Sequence, residues 1–96
     1  MSYKLRFHEL ALTEWKKLDG SVRELLKKKL GDRLDDPCVS ASTLSGMTDC
    51  YKIKRKCIGF RLIYRVDNDV VFVIVIAIGK QDKQKVKVYE AAQFRL

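Results

Sequence analysis

The 96 residues suffice for one compact domain and are too few for two. A hydrophobic fraction of 47% argues against a disordered chain, and 20 Lys+Arg against 12 Asp+Glu leave a formal charge of +8. That imbalance points to an anionic partner (nucleic acid, an acidic protein segment or a membrane surface), the plain alternative being a merely soluble basic domain.

Cys38, Cys50 and Cys57 are odd in number and form no C-x-x-C pair. Neither a disulfide framework nor a zinc site is expected, no other cofactor is implied, and a reducing cytoplasm fits best. Residues 1–7 contain no apolar signal-peptide core. The longest apolar run, Val70 to Ile78, is too short to cross a bilayer, so a membrane role gains little support.

In chain order, Tyr3, Leu5 and Phe7 alternate with Lys4 and Arg6, the period of a half-buried strand. From Glu9 the period becomes helical through Leu10, Ala11, Trp15 and Leu18, and Asp19-Gly20 stops the run. Trp15 lies on this apolar stripe, which makes it core rather than a platform for a base. Ser21-Val22-Arg23-Glu24 has the form of a capping box, with Ser21 as N-cap. The helix it opens runs toward Leu34 and buries Val22, Leu25, Leu26, Leu30 and Leu34. Lys27, Lys28 and Lys29 sit on or beside its opposite face, either as a solvated face or as a nucleic-acid contact. A short turn joins the two helices into an αα-hairpin.

Pro37 ends the hairpin, and residues 38–49 read as a connecting loop. Three strands follow at about 50–56, 59–67 and 70–78, with turn signals at Ile58-Gly59 and Asp67-Asn68-Asp69. Connections this short favour an antiparallel meander. The third strand is apolar on both faces, so it belongs in the middle of the sheet with cover on each side. Residues 82–95 are expected to form a last helix, with Asp82 as candidate N-cap. The order β-α-α-β-β-β-α makes a single α+β domain, helices packed on a mostly antiparallel sheet.

Strand parity locates the candidate chemistry. If Tyr51 and Ile53 pack with Phe60, Leu62 and Tyr64, then Lys52, Lys54, Arg61 and Arg65 all project from the other face. Crowded like charges destabilise a sheet unless something anionic offsets them, so the set is either a phosphate site or ordinary solvated charge. His8 is the only histidine, which excludes a paired-histidine ribonuclease; clustered carboxylates for a two-metal nuclease are also missing from these strands. A lysine among cations has its pKa pushed down and can serve as a general base. Arginine clamps a phosphate through two parallel hydrogen bonds, and tyrosine stacks on a base. RNA brings its own nucleophile, the 2′-hydroxyl. Metal-free RNA cleavage is therefore chemically feasible, though spacing alone does not select it.

The stretch Leu44-Ser45-Gly46-Met47-Thr48-Asp49-Cys50-Tyr51-Lys52-Ile53-Lys54-Arg55-Lys56-Cys57-Ile58-Gly59-Phe60-Arg61-Leu62-Ile63-Tyr64-Arg65-Val66 resembles the core of the RelE family of bacterial toxins. Ala11-Leu12-Thr13-Glu14-Trp15-Lys16-Lys17-Leu18 and Ile78-Gly79-Lys80 extend the likeness to nearly the whole chain. Within the wider RelE/ParE group it lies nearest the RelE branch. The resemblance implies the toxin of a type II toxin–antitoxin pair, a ribosome-dependent endoribonuclease that cuts mRNA in the decoding site by 2′-hydroxyl attack. By the same resemblance Lys54 is the general base, Lys52 stabilises the phosphate, Arg61 clamps the transition state and Tyr89 stacks on the substrate base. Arg65, Lys80, Gln81, Lys83, Lys27 and Lys28 are candidate contacts to RNA or the ribosome.

Two departures accompany the likeness. Gln81 stands where the family's nearest members have an arginine after the Gly-Lys pair, and the segment from Asp82 to Val88 is about two residues longer. The implied partners are the ribosome, mRNA and a RelB-like antitoxin, with operator DNA touched only through the antitoxin complex. Two other readings stay open: a toxin of the same fold acting on a protein, as the ParE type does, and a non-catalytic ribosome-binding module.

Overall fold

The apolar/polar alternation and the helical stripes resolve, in a computed structural model, into seven elements among the described residues. The structure describes residues 3–39, 43–44, 49–55, 59–80 and 87–95. The elements are β1 (Lys4–Phe7), α1 (Glu9–Lys16), α2 (Gly20–Asp35), β2 (Cys50–Arg55), β3 (Phe60–Asp67), β4 (Phe72–Lys80) and α3 (Lys87–Arg95). The expected order of elements holds.

The four strands form one sheet in the order β1-β4-β3-β2. β2, β3 and β4 make the antiparallel meander, and β1 adds parallel to β4, Lys4 opposite Phe72 and Phe7 opposite Val75. β4 therefore sits inside the sheet, as its two apolar faces require. On one face Leu26 and Leu30 of α2 and Ala11 of α1 close over Ile53, Leu62, Tyr64, Val73, Val75 and Ile78. Trp15 packs beside Phe7 at 5.3 Å between ring centroids, which places it in this core. On the other face Ala92 of α3 closes over Cys50, Ile63, Ile76 and Ala77. Ile76 and its neighbour Ala77 share that face because the register slips between Ile63 and Tyr64, and such a slip turns two successive residues the same way.

Two local expectations need correction. The N-cap of α2 is Asp19, not Ser21: the Asp19 carboxylate accepts from the Ser21 amide at 3.3 Å and from the Ser21 hydroxyl. Those bonds, the hydroxyl first, hold the Asp19 carboxyl below its ordinary value. β4 begins at Phe72 rather than Val70. The Asp67 carboxylate accepts from the amides of Asp69 (3.1 Å) and Val70 (3.4 Å), which prolongs the turn, and Val71 leaves it at a φ of 60°. The last helix is described only from Lys87, so the expected cap at Asp82 lies outside the described residues. Among the described residues no helix is long and apolar enough to cross a membrane.

Candidate RNA-cleaving face

The β2–β3 register decides which cations meet. Gly59, at a φ of 68°, turns the chain between the strands. The pairs are then Lys54 with Arg61, Lys52 with Ile63 and Cys50 with Arg65. Directly opposed residues share a face, so Lys52, Lys54 and Arg61 all lie on the face away from the helical hairpin. Across from Arg61 on the other side stands Gly79, which puts no side chain beside it. Arg61 is 7% exposed and is the buried charged residue among those described, Lys52 is half-buried and Lys54 exposed. A guanidinium beside lysines is a planar donor fork whose geometry suits a phosphate.

The opposite face of the same strands is locked. Tyr51 stacks on Tyr64 at 5.6 Å, and the fully buried Tyr64 hydroxyl donates to the Pro37 carbonyl at 2.6 Å. Arg33 of α2 donates to the Tyr64 oxygen at 2.9 Å and to the Lys52 carbonyl at 3.4 Å. The strand that carries both lysines is thereby tied to the helical layer. Burial pushes the Tyr64 phenol up, against the pull of Arg33. The hydrogen bond with Cys38, followed by burial, pushes the Tyr51 phenol to about 12.

Helix α3 walls the cationic face. Ala92 and Ala91 pack against Ile63 and Ala77, the row that also holds Lys52. Its far end is fastened by Arg95, whose guanidinium pairs with Glu14 of α1 at 2.8 and 3.2 Å and donates to the Ile76 carbonyl at 2.9 Å. Sequence reasoning singled out neither Arg33 nor this pair. Arg33 had one available signal, its place beside the Leu30 and Leu34 stripe in the last turn of α2.

Of the other expected site residues, Arg65 shares the face of Lys52 but lies at its far end. There it approaches Asp67 at 3.9 Å and is 43% exposed. Arg6, on the same end of the sheet, is spent over the Phe72 ring at 4.4 Å. Lys27 and Lys28 are exposed on the helical layer, on the opposite side of the sheet from Lys54 and Arg61. Lys80 pairs with Phe60 through its backbone and Tyr89 lies in α3; their side chains, and Gln81 and Lys83 altogether, fall outside the described residues.

Residues 5–85 match the family model described as the ParE toxin of the type II toxin–antitoxin system parDE. The "mRNA interferase toxin RelE" of Escherichia coli K12 is 50% identical over 86 residues, 90% of each chain. Among solved structures, a mutant of E. coli toxin RelE in the free state superposes with a TM-score of 0.89 at 48% identity, covering 100% of this chain and 99% of that one. The toxin in the intact E. coli RelBE toxin–antitoxin complex gives a TM-score of 0.82 at 50% identity, over 85% of this chain and 100% of that one. The α+β fold expected from the strand and helix periods is the fold of these proteins.

Proposed function

The chain belongs to the RelE/ParE family of type II toxins, and from that footing we propose that it is a ribosome-dependent mRNA endoribonuclease. The observation that carries the reading is the opposition of Lys54 and Arg61 across two strands, with Lys52 on the same face. Lys54 takes the proton from the 2′-hydroxyl as its oxygen attacks the adjacent phosphorus. Lys52 and Arg61 hold the phosphoryl oxygens as negative charge builds on them. The P–O5′ bond breaks, leaving a 2′,3′-cyclic phosphate and a 5′-hydroxyl. Tyr89 stacks on the base. Lys80 or Lys83 gives the leaving 5′-oxygen its proton, with Gln81 as a neutral hydrogen-bond donor to it, and Lys27, Lys28 and Arg65 contact ribosomal RNA away from the reacting bond.

The ribosome supplies what this surface lacks: it holds the message in line, which a flexible strand rarely achieves alone. Naked RNA is accordingly a poor substrate. Binding to ribosomes weakens steeply as salt rises, because each phosphate contact releases counterions. A RelB-like antitoxin, the partner type present in the E. coli complex, neutralises the toxin, and the pair acts in the cytoplasm. Operator DNA is reached through the antitoxin and not by this chain.

The ParE description of the family model favours a second reading, poisoning of a protein target. Induced expression of Arg61→Ala separates the two. Loss of growth arrest, with the protein present and folded, supports cleavage; undiminished arrest supports the protein target.

A further inference from the structure

Helix α3 is described over nine residues, too few to be helical alone, and among those of its residues whose burial is described only Ala92 is fully buried. Glu90 and Gln93 face solvent, and Phe94 is 91% exposed. Buried alanine methyls remove little apolar area from water. A second anchor among the described residues is polar. β1 ends at Phe7, opposite Val75, so beyond Val75 that edge of β4 has no neighbouring strand among the described residues. Two side chains take its place. Arg95 donates to the Ile76 carbonyl at 2.9 Å, and a Glu14 oxygen accepts from the Ile78 amide at 3.2 Å. The two join each other through both guanidinium nitrogens, at 2.8 and 3.2 Å. One ion pair thus runs from α1 on one side of the sheet, around the edge of β4, to α3 on the other.

From this geometry we propose that Glu14 and Arg95 are positioning residues for cleavage: their pair fixes α3 against the Lys52–Ile63 row and so sets the wall along which the RNA lies. The proposal rests on the ribonuclease reading. It assigns no chemistry to either residue, since neither lies on the cationic face. Releasing Arg95 leaves the sheet, the hairpin layer and the strand cations in place. The loss therefore falls on alignment of bound RNA rather than on capture of the ribosome.

The test compares wild type with Arg95→Met, Arg95→Lys and Glu14→Gln on programmed ribosomes, at subsaturating and saturating concentrations. Amide exchange of residues 87–95 is followed in the same proteins. In Arg95→Met the cleavage rate at saturation should fall about 10- to 100-fold, while the half-saturating ribosome concentration moves less than about threefold. Arg95→Lys, which keeps the charge but not the fork, should recover part of the rate, and Glu14→Gln should lose less than Arg95→Met. Exchange should quicken in α3 and not in the central strands.

An unchanged rate at saturation in folded Arg95→Met overturns the proposal. So does unaltered exchange in α3, or a loss of rate that merely follows the folded fraction. Should Arg95→Met not fold, Glu14→Gln decides by the same criteria, because the amide keeps the shape and the acceptor for Ile78. A wild-type protein that cuts no ribosome-bound message sinks the ribonuclease reading and this role with it. Normal wild-type cutting with unaffected variants sinks this role alone.

Discussion

The two faces of this sheet are made from the same strands and are closed in opposite ways. Under the helical hairpin, Ile53, Leu62, Tyr64, Val73 and Val75 are sealed from water, and the one polar group among them, the Tyr64 hydroxyl, has both a donor and an acceptor. On the other face, among the described residues, Ala92 of α3 closes over Cys50, Ile63 and Ala77, and Lys52, Lys54 and Arg61 lie on that same face. A strand's period of two lets alternate residues serve stability and chemistry independently. Neighbouring substitutions should therefore fail in different ways.

The largest effect is expected on the sealed side. Leu62→Ala should cost about 2–5 kcal/mol of stability, read from a shifted denaturant midpoint, while cleavage per folded molecule stays near wild type. One residue earlier, Arg61→Ala should do the converse, lowering cleavage about 10²- to 10³-fold with a much smaller change in the midpoint. If both variants lost activity only in proportion to folded protein, the division of labour between the faces would be wrong.

A smaller effect tests the tie between the faces. Tyr64→Phe leaves the Pro37 carbonyl and Arg33 without their partner and should cost about 1–3 kcal/mol. Cleavage should fall slightly, since Arg33 retains its bond to the Lys52 carbonyl. The smallest effect is alkaline. Burial raises the Cys50 thiol from its ordinary 9.0 and the Tyr64 phenol from its ordinary 10.0. Both are acids that the unfolded chain ionises first. Their stabilisation is complete below those ordinary values and is lost as pH climbs through the raised ones. The urea midpoint should thus decline as pH rises above the ordinary 9.0 of the thiol and on past the ordinary 10.0 of the phenol; a flat profile would mean that neither group is shielded.

Much of this was legible in the sequence, because periodicity speaks about faces. Alternation in Tyr51–Lys54 and Phe60–Arg65 put the lysines and Arg61 on one side, and the doubly apolar run ending at Ile78 marked the central strand. Parity does not give the row. Arg65 shares the face of Arg61 but lies four residues along, about 13 Å at the rise of a strand, and turns to Asp67 instead. Local chemistry also leaves ties: Asp19 and Ser21 are both good caps, and the carboxylate prevailed by accepting from Ser21 itself. The Glu14–Arg95 pair had no local signal, since its partners stand 81 residues apart and meet only when α3 folds over the sheet edge. Tyr89 was placed by resemblance alone, and its side chain lies outside the described residues.

The most direct test of the central claim is mRNA cleavage on ribosomes programmed with a defined message, the new ends mapped by primer extension at fixed magnesium. Wild-type protein should cut within the decoding-site codon, leave the same RNA largely intact without ribosomes, and lose the cut with Arg61→Ala. Absence of cutting on ribosomes, or equal cutting of free RNA, would contradict the assignment of this cationic face to ribosome-directed cleavage.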